Sequence, residues 1–243
     1  MKNLFKFSAL LIATIFFSCS AQKNTSQESI NIKKNVEHDK EIKLASINYD
    51  SLKIVLDSVH YYDQYFFNHG LKGKEKYTEE EQAIIKRVNA RLIQNEEIVS
   101  NILDTYGWLG PKEVGQHASN ALFLVIQHSQ LETQVKYLPL LQKAVIDKKA
   151  DIMEVAMLED KMAIYQGKKQ KYGTQLPPHP ITGKRMFWPI EDLEKIDELR
   201  KQIGFPPMSE SLEFEGVEWD EEEHKVYAKE LIDKNLMGFY IGY

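Results

Sequence analysis

The sequence predicts a mainly α fold: a compact helical bundle of about five to six helices, with a short extended or hairpin element near the C-terminal third. Three observations carry that prediction. Apolar residues recur three or four positions apart from Tyr49 to about Gln166. Glycines and capping residues interrupt those runs at ordinary helix lengths. The exception is confined to one stretch, "LPPHPITGKRMFWPI", whose four prolines and one glycine read as loop, with a hairpin around Thr182-Gly183.

Each element follows from its own residues. Leu52, Val55, Leu56, Val59, Tyr62 and Phe66 form the stripe of a first helix, which Gly70 and Gly73 end. Thr78 and Glu81 stand at capping-box spacing and open a long helix to about Tyr106. Its inward face is Ile84, Ile85, Val88, Leu92, Ile98, Ile102 and Leu103. Gly107 stops it, and "GWLGP" makes a tight connection with Trp108 wedged at the junction. Pro111 suits a first helical turn, so one helix is expected over 111–128, with Ala118, Ala121, Leu122, Val125 and Ile126 inside. Helices over 132–148 and 151–166 come next, the second closed by Gly167. Helical spacing returns over 190–203 and closes at Gly204. The extended element is expected at 186–190 or 212–219, where "LEFEGVEWD" alternates apolar and acidic residues. "DEEEHKVYAKELIDKNL" has acids in its first turn, which suits a helix, and the aromatic end "GFYIGY" is expected to dock on the body.

The N-terminus carries an address. Lys2 and Lys6 precede an apolar run, Ala9 to Phe17, that is too short to span a bilayer and has the length of a signal-peptide core. Ser18-Cys19 follows, and this resembles the bacterial lipobox, in which the leader is cut before a cysteine that is then lipidated. Phe16 and Phe17 stand where a lipobox has a leucine and a small residue. Cys19 is the only cysteine, so no internal disulfide is available to an exported chain. The resemblance implies lipidation at Cys19 and a membrane as the first partner, with several acyl chains giving a durable anchor. It implies a cell-envelope location, the outer membrane favoured over the inner, with the domain in the periplasm or at the cell surface. The expected organisation is a leader over 1–18, a flexible polar tether over 19–46, a helical domain over 47–206 and an appendage over 207–243 that packs on it.

Composition narrows the partners. Removing the leader takes Lys2 and Lys6 and no acid, so the formal charge goes from −5 to −7. An acidic chain of this kind does not offer the basic face that nucleic acid needs. No phosphate loop, dinucleotide fingerprint, HExxH or G-x-S-x-G occurs, so no cofactor, no metal and no serine triad are expected.

A set of polar residues sits in otherwise apolar settings: Asp63-Gln64, Gly107-Trp108, Val114-Gly115, Gln127-His128-Ser129, Leu158 to Lys161, and "GKKQKYGTQ" from Gly167 to Gln175. In that order they resemble the bacterial domain of unknown function 6624 family, over roughly 52–205, with Asp192, Asp197, Arg200 and Gly204 matching its closing helix. Members read Gly-Trp-Pro, Gln-His-Ala-Asp and Asp-Arg where this chain has Leu109, Ser129-Gln130 and Lys161. A lysine at 161 does not reproduce the fork of an arginine. The resemblance supplies a domain and no chemistry.

The residues leave three readings of function. His128 lies at the end of an apolar helix, where a ring nitrogen needs a partner. In the first reading it centres a polar cleft for a small or peptide-like ligand, built from Asp63, Gln64, Gln127, His128, Asp160, Gln170, Tyr172, Thr174 and Gln175. In the second it is the general base of a hydrolase, oriented by Asp63 or Asp160. In the third these residues only tie helices together, with Gly173 at positive φ turning "QKYGTQ" back on the body.

Overall fold

The computed structural model describes residues 47–65, 69, 76–183, 185–210 and 220–238. The leader, the tether, Phe66, Gly70 and Gly73, the expected strand at 212–219 and the aromatic end from residue 239 lie outside the described residues. The helices are α1 Tyr49–Asp63, α2 Glu79–Tyr106, α3 Pro111–Val114, α4 Gln116–His128, α5 Leu131–Ile146, α6 Ile152–Tyr165, α7 Ile196–Gln202 and α8 Glu221–Asp233. The fold is mainly helical, as expected. No helix among the described residues is long and apolar enough to cross a membrane.

α4 is the hub. It touches α1, α2, α3, α5 and α6, and its contact with α1 is the most extensive in the bundle. The cause is its composition: Ala118, Ala121, Leu122, Val125 and Ile126 are all buried, as their spacing predicts. The two alanines bring neighbouring backbones close, and a fully buried Leu122 contributes about 1.5–3 kcal/mol. Leu56 and Val59 of α1, Val99, Ile102 and Leu103 of α2, Leu141 of α5, and Val155 and Leu158 of α6 join this core, together with Trp108 and Leu109 from the connection. Val55, expected inside α1, is instead 40% exposed, because α1 buries a narrower stripe.

The caps behave as the local sequence dictates. Thr78 Oγ1 accepts from Glu81 N at 3.2 Å, and Glu81 Oε2 accepts from Thr78 N at 2.8 Å. Asp151 and Glu154 make the same reciprocal pair at the start of α6.

Two expected helices are corrected. The single helix expected over 111–128 is broken at Gly115, whose φ of 84° and ψ of 163° lie where only glycine sits without strain. The helix expected over 190–203 shrinks to Ile196–Gln202 because Asp192 Oδ1 takes the Lys195 N–H at 3.3 Å and makes a turn of the preceding residues. The extended element is two isolated bridges among the described residues, Gln170 with Ile190 and Pro178 with Arg185, rather than a strand pair. Around them lie two smaller clusters: Phe187, Ile190, Ile196 and Met208, and Ile164, Trp188, Tyr227 and Leu231. The second fastens α8 to the end of α6.

Candidate functional site

Asp63 is the last residue of α1 and His128 the last of α4. Because α1 and α4 pack along each other, these two ends meet. His128 Nδ1 lies 2.9 Å from Asp63 Oδ1, and Gln64 Nε2 donates to Asp63 Oδ2 at 2.8 Å. The Asp63 side chain is 2% exposed and the His128 side chain 53%. An ionised carboxylate only accepts, so Nδ1 carries the proton in this pair and Nε2 is the ring's acceptor. The arrangement is an imidazole oriented by a covered acid and presented to solvent. It can take a proton from, or accept a hydrogen bond from, a small polar molecule.

A second pair lies on the same helix interface. His60 and His117 stack with ring centroids 5.2 Å apart and planes at 15°. Burial pushes the His60 imidazole below its ordinary value, His117 adds to that, and Asp63 and Asp57 pull it back up. Sequence reasoning missed both. His117 precedes His128 by 11 positions. Eleven residues are three helical turns with about 20° left over, so the two share a face. Among the described residues, no group of three or more histidine, cysteine, aspartate or glutamate side chains is placed to hold a metal ion.

The other acid has a different task. Asp160, on α6 and 1% exposed, accepts from Lys171 N at 2.7 Å, Tyr172 N at 3.0 Å and Thr174 N at 3.1 Å, and from Thr174 Oγ1 at 3.0 Å. Burial raises its carboxyl above the ordinary carboxylate value, and these donors pull it down. Arg200, on α7 and 3% exposed, takes the opposite side of the same turn. Its Nη1 donates to Tyr172 O at 2.7 Å and Gly173 O at 3.1 Å, and its Nε to Pro206 O at 2.7 Å. The N–H groups of "KYGT" thus face an anion and its carbonyls face a cation. Gly173 has the positive φ expected of it, 63°.

The glutamines close the turn. Gln170 Nε2 donates to Trp188 O at 2.7 Å and Gln175 O at 3.1 Å, and Gln170 Oε1 accepts from Gln175 N at 2.9 Å. Gln175 Nε2 reaches Met157 O at 3.3 Å and Thr174 Oγ1 at 3.1 Å. Lys171 Nζ stands 4.9 Å from the centroid of the Tyr172 ring. Lys161, at the position where a fork was in question, lies over the Tyr165 ring at 5.1 Å, and the forked cation of this region is Arg200.

Hydrogen bonds therefore bring Asp63, Gln64 and His128 together, and separately Asp160, Gln170, Tyr172, Thr174 and Gln175. Among the described residues none joins the two sets. Gln127 belongs to neither: its carbonyl accepts from the Nε2 of fully buried Gln134 at 3.1 Å. Ser129, beside His128 in sequence, donates to Val125 O at 2.8 Å.

A model of the family of unknown function DUF6624 matches residues 76–218. The chain belongs to the DUF6624 family. Neither the curated proteins nor the solved structures returned a match. His128 and the clamped turn fall within the DUF6624 segment, whereas Asp63, Gln64 and the rest of α1 precede it. The DUF6624 segment of this chain thus completes its central helix interface with residues from outside the match.

Proposed function

We propose that the chain is an envelope protein tethered through acylated Cys19, whose helical domain binds a small polar or peptide-like ligand at the exposed ring of His128. The observation that carries the site is the Asp63–His128 pair: 2.9 Å long, covered on the acid side and open on the imidazole side. Holding Nδ1 fixes the ring plane and aims Nε2 at whatever docks there. The Asp160 turn then serves as support, since its polar groups bond to one another. The anchor rests on the lipobox-like leader and the single cysteine. Loss of acyl labelling in Cys19→Ala, and globomycin-sensitive processing, test it.

The same pair favours a second reading, a hydrolase in which His128 Nε2 accepts a proton from water as the oxygen attacks a carbonyl. Asp63 then stabilises the imidazolium. Asp160 has no part in that step, because the turn occupies its oxygens.

One substitution separates these readings from a purely structural clasp. In His128→Asn the amide nitrogen stands where Nδ1 was, so the bond to Asp63 survives and Nε2 is lost. The probe is a panel of N-acetyl dipeptide amides followed by ligand-observed NMR. Saturable binding by the wild type, lost in His128→Asn at unchanged melting temperature, is the expected result. Equal binding by both, or no binding by the wild type, overturns the ligand reading. Turnover of the probes, lost in the same variant, moves the assignment to the hydrolase.

A further inference from the structure

We propose that the groove between α1 and α2 binds a dianionic phosphate ester, read by Arg87 and Arg91. The two arginines stand one turn apart on α2, and with Ser58 and Tyr62 of α1 and Ala90 and Gln94 of α2 they line a cleft of about 480 Å³. The Arg91 guanidinium lies over the Tyr62 ring, 5.3 Å from its centroid, and its Nη1 donates to Gln94 Oε1 at 3.3 Å. Its Nε is buried and has no partner.

The charge arrangement differs from that of five lysines elsewhere in the chain. Lys53, Lys143, Lys225, Lys229 and Lys234 each pair with an acid four residues away, within a helix or across its C-terminal cap. Arg87 and Arg91 occupy the same one-turn spacing with like charges, and neither has a carboxylate partner among the described residues. Two cations at that spacing repel by about 0.2–0.5 kcal/mol. The chain has a net charge of −5, yet no acid is among the residues that line this cleft. A bound anion removes the repulsion.

The chemistry of the cleft selects the anion. Two guanidiniums present two positive charges and two planar forks, which a phosphate monoester matches with its charge of about −1.5 to −2 and three terminal oxygens. A carboxylate leaves one guanidinium uncompensated. The Tyr62 ring holds Arg91 in place before binding, and the Ser58 hydroxyl and Gln94 amide add neutral donors. The cleft is larger than a phosphate group, so the ester's organic part occupies the remainder. The site is separate from the His128 reading and does not depend on it.

The test titrates the full-length protein, held in nonionic detergent at low ionic strength and about pH 7.5, with inorganic phosphate, phenyl phosphate and acetate by calorimetry. Saturable binding of phosphate and phenyl phosphate is expected, weakened about tenfold or more by Arg87→Gln or Arg91→Gln, with acetate far weaker. The unfolding midpoint of each variant should hold or rise, since like-charge repulsion is relieved. A second arm sediments the protein with phosphatidylcholine vesicles with and without phosphatidic acid. Capture that requires phosphatidic acid and both arginines places the phosphate on a lipid, and binding of the soluble esters without capture places it on a free molecule. Failure to saturate with either phosphate, unchanged affinity in both variants, or acetate binding as well as phosphate overturns the proposal.

Discussion

Replacing Asp160 should loosen the whole "QKYGTQ" turn. Its carboxylate is the acceptor for three backbone N–H groups, those of Lys171, Tyr172 and Thr174, and for the Thr174 hydroxyl. In Asp160→Ala all four donors lose their acceptor at a 1% exposed position. Each orphaned buried donor costs about 1–3 kcal/mol, but the turn lies near enough to the surface for water to reach some of them. Removing the acid also recovers the cost of burying a charge, which is the leading influence on its carboxyl. A net loss of about 3–5 kcal/mol follows for the alanine variant. Asp160→Asn keeps one acceptor oxygen and the neutral form, and turns an NH₂ toward the remaining donors, so about half that loss is expected. Urea unfolding followed by circular dichroism measures the difference, and amide exchange at 171–174 localises it. An alanine variant within about 0.5 kcal/mol of wild type, with those amides still protected, refutes the clamp.

Four other perturbations have definite outcomes. Burial, then Lys169, pushes His224 from 6.5 down to about 4, against a pull from Glu221, so the folded state disfavours its protonation. The unfolded chain binds that proton first as pH falls, so its contribution is complete above about 6.5 and lost by about 4, up to about 3 kcal/mol, and His224→Gln should flatten that part of the pH-dependent urea midpoint. Gly173→Ala should lower the melting temperature through a cost of about 1–3 kcal/mol, because a Cβ at φ 63° meets Met208 Sδ at 2.8 Å. His128→Ala leaves covered Asp63 with Gln64 as its hydrogen-bond partner and should cost about 1–3 kcal/mol in thermal unfolding, whereas His128→Asn should cost little. A fragment of residues 76–218 lacks Leu56 and Val59, both 0% exposed, and should melt far below a 47–243 fragment or fail to fold.

The bundle was legible because its determinants are local. Thr78 and Glu81, or five apolar residues of α4 at helical spacing, act on their own stretch of chain and read the same way in any context. The break at Gly115 was less visible because a glycine inside an apolar run signals either tolerance or a stop, and only φ decides. The site was legible as a list of residues and not as an arrangement. Asp63 and Asp160 look alike as isolated acids at helical positions, yet one meets a histidine 65 residues away and the other a loop 11–14 residues on. Nothing local separates those outcomes, since a side-chain partner is set by which helices touch. His60 and His117 were missed for a related reason: their stacking needs α1 beside α4, and neither helix alone announces it.

Hydrogen-bond capacity is what finally distinguishes the two acids. A carboxylate has about four lone-pair sites. Those of Asp160 are filled by four donors from one turn, so a ligand has nothing to gain there without dismantling the turn. Asp63 holds two partners and has acceptor capacity left, but at 2% exposure that capacity is out of a ligand's reach. It is passed outward through His128, whose Nδ1–H spends itself on the acid while Nε2 faces water. The polar turn is thus the more crowded region and the poorer site, and the pair at the ends of α1 and α4 is where the fold keeps a directed polar atom uncommitted.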